Sequence, residues 1–171
     1  MLHLLGIILV LVGFIGGGIY FCDKEENKIK ILTEWKRSLQ ILCNEIIVRQ
    51  QPLLFALEET EKRLQGEVAI FYKKVNNEMK ERKEELLEVW KKELKIYLKK
   101  SLLSTEGKKI IETLEEVLGY EDQKIQLGML QTEIEIIENY RKEIEKEKKE
   151  KKKIILLLSI CSGASLILLL I

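Results

Sequence analysis

"ILTEWKRSLQILCNEI", residues 31–46, decides the fold. Ile31, Trp35, Leu39, Leu42 and Ile46 follow one another at spacings of 4, 4, 3 and 4. That rhythm puts all five on one side of an α-helix, because 3.6 residues complete a turn. The intervening positions carry Thr33, Glu34, Lys36, Arg37 and Gln40, which suit a wet face. A helix with one apolar stripe is stable only if something covers the stripe. The rest of the chain should therefore supply more helices of the same kind.

It does. On the C-terminal side the helical pattern runs over 23–51 and breaks at Pro52, where a new helix starts. Gly66 is the next weak point, after which Val68, Phe71, Tyr72, Val75 and Met79 form a second face. A third face is predicted from Leu87, Trp90, Leu94, Tyr97, Leu98 and Leu102. Ser104 to Gly107 interrupt it, and Thr105 is the expected cap of a helix whose inner face is Ile110, Ile111, Leu114, Val117 and Leu118. Gly119 suits a left-handed C-cap and Asp122 an N-cap. The last stripe is Leu127, Leu130, Ile134, Ile137, Tyr140 and Ile144, and no helix breaker separates Asp122 from Ile154. The expected class is all-α: a bundle of about five or six helices.

The two ends differ from this amphipathic middle. Residues 4–22 form nineteen positions without a charge, and residues 154–171 form eighteen. As helices they would extend roughly 28 and 27 Å, about the thickness of the bilayer hydrocarbon. The first run reads as an uncleaved anchor rather than a signal peptide, since "MLH" lacks Lys and Arg and bulky residues precede Cys22. The expected organisation is a transmembrane helix over 1–22, a cytoplasmic helical bundle over 23–153 and a second transmembrane helix over 154–171. The side follows from charge. Lysines 24, 28 and 30 flank one run, and Lys148, Lys149, Lys151, Lys152 and Lys153 abut the other, whereas the far ends carry no Lys or Arg. Those lysines should touch anionic lipid headgroups. Gly13 and Gly17, with Ser159 and Gly163, have the small-xxx-small spacing that lets helices approach closely in lipid, within the chain or between copies.

Chemistry is not evident. Net charge is +1, so nucleic acid is not an expected partner. The one histidine is His3, and Cys22, Cys43 and Cys161 include no CxxC pair, so no metal or other cofactor is expected. Phosphate-binding glycine loops, HExxH and GxSxG are absent from the sequence. The carboxylates alternate with lysines at helical spacing and read as solvated pairs, so no catalytic residue is expected.

Three short motifs carry a resemblance. "LQILCNEI" (39–46) offers Leu42, Glu45 and Ile46; "QPLLFALEE" (51–59) offers Pro52, Leu53, Ala56 and Leu57; "LGYEDQKIQLGMLQTEI" (118–134) offers Leu118, Gly119, Asp122 and Gln126. In order and spacing the set resembles the stage III sporulation protein AB family of endospore-forming bacteria. That family has Leu-x-x-Glu-Ile, then Thr-Pro-Leu and an Ala-Leu pair, then Leu-Gly followed by Asp and Gln. Gln51 departs from the usual Thr, and "VRQ" (48–50) replaces a glycine-containing turn. The resemblance implies a non-enzymatic platform subunit in an assembly that links mother cell and forespore and is similar to type II secretion and type IV pilus machines. Its implied partners are a cytoplasmic ATPase and other membrane subunits; association with further copies of itself is an expectation from the small-residue spacing of the spans instead. The alternative is a pore or transport component assembled through the glycine-bearing spans.

Overall fold

The computed structural model describes residues 2–49, 52–82, 85–119 and 122–170, with side chains described for only part of the two ends. Among the described residues the chain forms seven helices and no strand: α1 (Leu2–Ile47), α2 (Leu53–Arg63), α3 (Gly66–Arg82), α4 (Leu86–Lys100), α5 (Thr105–Glu112), α6 (Leu114–Leu118) and α7 (Gln123–Leu170). The all-α expectation holds. Two compact units result, one of Lys28–Arg141 and one of Met1–Asn27 with Lys142–Ile171.

In the Lys28–Arg141 unit the stripes meet as their periodicity requires. All five residues of the opening stripe are buried, with Leu32 and Cys43 beside them. Trp35 is the hub. Its ring lies 5.2 Å from Phe71 and 6.1 Å from Tyr72 on α3, and 6.4 Å from Trp90 and 5.6 Å from Tyr97 on α4. Phe71 and Trp90 stand edge to face at 4.8 Å and 88°. Such ring pairs add about 0.5–1.5 kcal/mol each beyond area burial. The Trp35 indole N–H donates to the Tyr97 hydroxyl at 3.1 Å, which gives that polar atom a partner inside the cluster. Burial pushes the Tyr97 phenol up to about 12, and burial also raises the fully enclosed Tyr72. From α5 to α7, Ile111, Leu114, Val117, Leu118, Leu130 and Ile137 close the core.

Local chemistry sets the breaks. α2 begins directly after Pro52, whose carbonyl accepts from the Ala56 N–H at 3.1 Å. Gly66 opens α3 at φ 69°, a left-handed conformation that costs an L side chain about 1–2 kcal/mol. Gly107, in the first turn of α5, is there for space. A methyl group at its Cα would stand 3.2 Å from the Tyr140 ring.

Four expectations need correction. The cap of α5 is Ser104 rather than Thr105: the Ser104 Oγ accepts from the Gly107 N–H at 3.1 Å, and it also bonds the Tyr140 hydroxyl. The predicted single helix after it is two, divided at Thr113. The Thr113 hydroxyl donates back to the Ile110 carbonyl at 2.6 Å and competes with the backbone pattern there. Leu102 is 52% exposed, because the chain is already extended at Ser101 and the helical period no longer applies; Leu103 is buried instead. Gly119 is right-handed, at φ −79° and ψ −8°. An added Cβ would meet Leu87 at 3.5 Å, an ordinary contact, so neither backbone conformation nor space demands glycine at this position.

Among the described residues no helix is long and apolar enough to cross a membrane. Most side chains of 4–22 and of 159–171 lie outside the described residues, as do those of Gly13, Gly17, Ser159 and Gly163, so the expected spans and their helix packing lie there too.

Candidate interaction site

The motif residues separate into two places. The first is the α1–α2 turn. Leu42, Glu45 and Ile46 are buried on the last turns of α1, and Ala56 and Leu57 are buried on α2, with Pro52 exposed and Leu53 half-buried between them. Glu45 is the unusual member, a carboxylate with no exposed surface. Arg49 Nη1, one turn on, lies 3.3 Å from Glu45 Oε2, and Arg63 Nη2, at the end of α2, lies 3.2 Å from Glu45 Oε1. Neither carboxylate oxygen has an aligned hydrogen-bond donor. The stabilisation is therefore mainly charge on charge in a medium that screens poorly. Burying an unpaired carboxylate would cost several kcal/mol, so the two guanidiniums are what makes this position tenable. Their outer surfaces remain accessible, with side-chain exposures of 50% and 38%.

Around the same turn four large apolar side chains face solvent: Ile47, Val48, Leu54 and Phe55. Behind them α2 is tied to α3. The Asn76 amide donates to Glu61 Oε2 at 2.6 Å and to the Leu57 carbonyl at 3.4 Å, and Lys80 pairs with Glu58 at 3.0 Å. The turn thus combines a rigid base, exposed apolar groups and two partly exposed cations.

The second place is the α6–α7 corner. Asp122 Oδ1 accepts from the Lys124 N–H at 2.8 Å and the Ile125 N–H at 3.2 Å, which caps α7 as the sequence led us to expect. Gln126 is buried and donates its amide to the Leu118 carbonyl at 3.3 Å, satisfying one of the orphan acceptors at the end of α6. Leu118, Gly119, Asp122 and Gln126 thus hold a corner together and present no ligand-binding group. No described contact joins this corner to the Glu45 cluster.

The basic run is less free than its sequence suggests. Lys148 pairs with Glu26 at 3.1 Å, Lys149 with Glu145 at 3.2 Å and Lys151 with Glu147 at 3.1 Å, while Lys152 and Lys153 are exposed. Sequence reasoning missed Arg63 altogether. Arg49 was visible in principle as an i,i+4 partner of Glu45, but Arg63 sits on another helix and only the fold brings it in. It also missed Glu138 of α7, which Arg141 grips through two nitrogens at 2.9 Å and Lys36 of α1 meets at 3.1 Å. The hydrogen bond from Arg141, then that from Lys36, holds the Glu138 carboxyl down at about 2. Among the described residues no group of three or more His, Cys, Asp or Glu is placed to hold a metal ion. Cys43 is buried, and burial pushes its thiol up to about 11, where it is a poor nucleophile.

Taken together, the chain is an all-helical bundle with a buried ion-pair cluster and exposed apolar groups at one turn. Comparison with known families makes this specific. The model of the family described as stage III sporulation protein AB matches residues 3–171, and the chain belongs to that family. A solved structure titled "Stage III sporulation protein AB (SpoIIIAB)" is similar with a TM-score of 0.65 at 18% identity, covering 72% of this chain and 98% of that one. No curated protein matches the chain.

Proposed function

We propose that this chain is a non-enzymatic platform subunit of a secretion-like sporulation assembly, seated in the mother-cell membrane around the forespore and docking a cytoplasmic ATPase. What carries the reading is membership of the family over residues 3–171, a match that includes both apolar runs. The runs then act as two spans, and the lysines beside them hold the helical unit on the cytoplasmic side against anionic headgroups. Other membrane subunits of the assembly would pack beside the spans.

The docking surface we assign to the ATPase is the α1–α2 turn. Exposed apolar groups rimmed by charge mark a protein-binding patch, and Ile47, Val48, Leu54 and Phe55 with Arg49 and Arg63 are of that kind. Two experiments test the proposal. In sporulating cells the tagged full chain should retain the ATPase after crosslinking, and Phe55→Asp should release it without loss of the folded protein. Recovery of no ATPase complex, with normal sporulation in a deletion strain, would sink the assignment. Separately, Lys73→Cys should resist a membrane-impermeant thiol reagent added outside intact cells; rapid labelling would put the bundle on the wrong side.

A further inference from the structure

The α3–α4 face carries a feature that the proposed docking surface does not use. Two charged residues from each helix bound a shallow hollow of about 150 Å³. Phe71 and Tyr97 line it, and Ile70 and Ile96 beside them are 57% and 37% exposed. The helices run antiparallel, as the Glu78–Lys92 ion pair at 3.1 Å and the Phe71–Tyr97 ring contact at 5.6 Å require. That register sets Glu67 level with Lys100, and Lys74 level with Glu93. None of these four has an ion-pair partner among the described residues. Glu93 is nearly buried even so, and burial raises the Glu67 carboxyl. A chain meant to show this face only to water has no need to leave one acid buried and another half-buried, both unpaired, beside exposed isoleucines.

We propose that the α3–α4 face is where two copies of this chain meet, through a twofold contact centred on Ile70 and Ile96. The argument is one of symmetry. An isologous interface presents one patch to itself, so the patch must carry both halves of every contact. Viewed with α3 on the left and rising, the corners are Glu67 lower left, Lys74 upper left, Glu93 upper right and Lys100 lower right. Charge alternates around the ring. A half-turn about an axis lying in the face lays every acid over a base, whether the axis is parallel or perpendicular to the helices. In the first case Glu67 meets the second copy's Lys100; in the second it meets that copy's Lys74. A same-sign rim would repel its own image, and a partner of one net charge would leave half of these corners opposed by like charge. The apolar centre is self-matching too: the parallel axis lays Ile70 over the second copy's Ile96, and the perpendicular axis lays each isoleucine over its own counterpart, so apolar surface meets apolar surface either way.

Sedimentation of the full chain in detergent micelles, over a range of protein-to-detergent ratios, tests this. The wild-type chain should reach a dimer. Ile70→Asp should abolish it while leaving the helical circular dichroism unchanged. Lys100→Glu should weaken association about tenfold or more, because it sets like charges opposite each other at two symmetric places. Adding Glu67→Lys to Lys100→Glu should restore the dimer if the axis is parallel to the helices. Restoration of Lys74→Glu by Glu67→Lys instead selects the perpendicular axis, and either rescue supports the proposal. A wild-type chain that remains monomeric overturns it and leaves the face to another partner. A dimer indifferent to Ile70→Asp and to every reversal also overturns it, and assigns self-association to other residues such as those of the terminal runs.

Discussion

The two motif clusters solve the same problem, polar groups inside an apolar bundle, by opposite means. At the α1–α2 turn a full charge is buried and two guanidiniums offset it, one from the turn after α1 and one from the end of α2. At the α6–α7 corner nothing charged is buried; Asp122 and Gln126 satisfy backbone groups at most eight positions away. The first arrangement depends on the whole unit being folded. The second is nearly complete within one stretch of chain. Perturbing the first should therefore be costly and global, and perturbing the second cheap and local.

The largest effect should come from Arg49→Ala with Arg63→Ala. With both cations gone, Glu45 is a buried charge without compensation, and stability should fall by about 3 kcal/mol in chemical denaturation. Either single substitution should cost distinctly less. A double variant within about 1 kcal/mol of wild type would break the comparison. Asp122→Ala should cost about 1 kcal/mol, the usual value of an N-cap, with faster amide exchange confined to the first turn of α7. Exchange that also rises around Glu45 would show the two clusters to be coupled.

Glu138 lies between these extremes, an interhelical pair at a partly wet position. Its carboxyl is held well below the usual carboxylate range in the folded chain, so its stabilisation is present above that range. It should be lost as pH falls toward about 2. Glu138→Gln should flatten that acid limb and cost under about 1 kcal/mol at neutral pH, since solvent screens the pair. Glu133 points the other way. Burial raises its carboxyl, and one of its oxygens has no partner. The stability tied to its protonation is present at low pH and lost as pH rises through the raised value. Glu133→Gln should therefore gain about 0.5 kcal/mol at neutral pH, the smallest of the four effects.

The same contrast separates what is legible in the sequence from what is not. Stripes are local signals, so Ile31 through Ile46 announce both a helix and its buried side, and Asp122 announces a cap. The stripe reading fails where the chain leaves the helix: Leu102 has the right spacing, but its backbone is no longer helical. Ser104 and Thr105 are both good caps, and only the geometry of the Gly107 N–H chooses between them. Glu45 stands out by likeness to a family, with no hint of its burial. Nothing in the neighbourhood of Glu45 names Arg63, because a pairing across helices is written in the fold alone. The four corner charges of the α3–α4 face read as ordinary solvated lysines and glutamates for the same reason.

The aromatic hub has a practical consequence. The chain contains two tryptophans, and both belong to that cluster, fully enclosed among Phe71, Tyr72 and Tyr97. Their emission should be blue-shifted in the native state and move to the red when this cluster opens. All of that light originates in Lys28–Arg141. Fluorescence is thus a built-in reporter of one unit only, blind to events confined to the terminal segments, and it can separate melting of the bundle from changes at the chain's ends without any label.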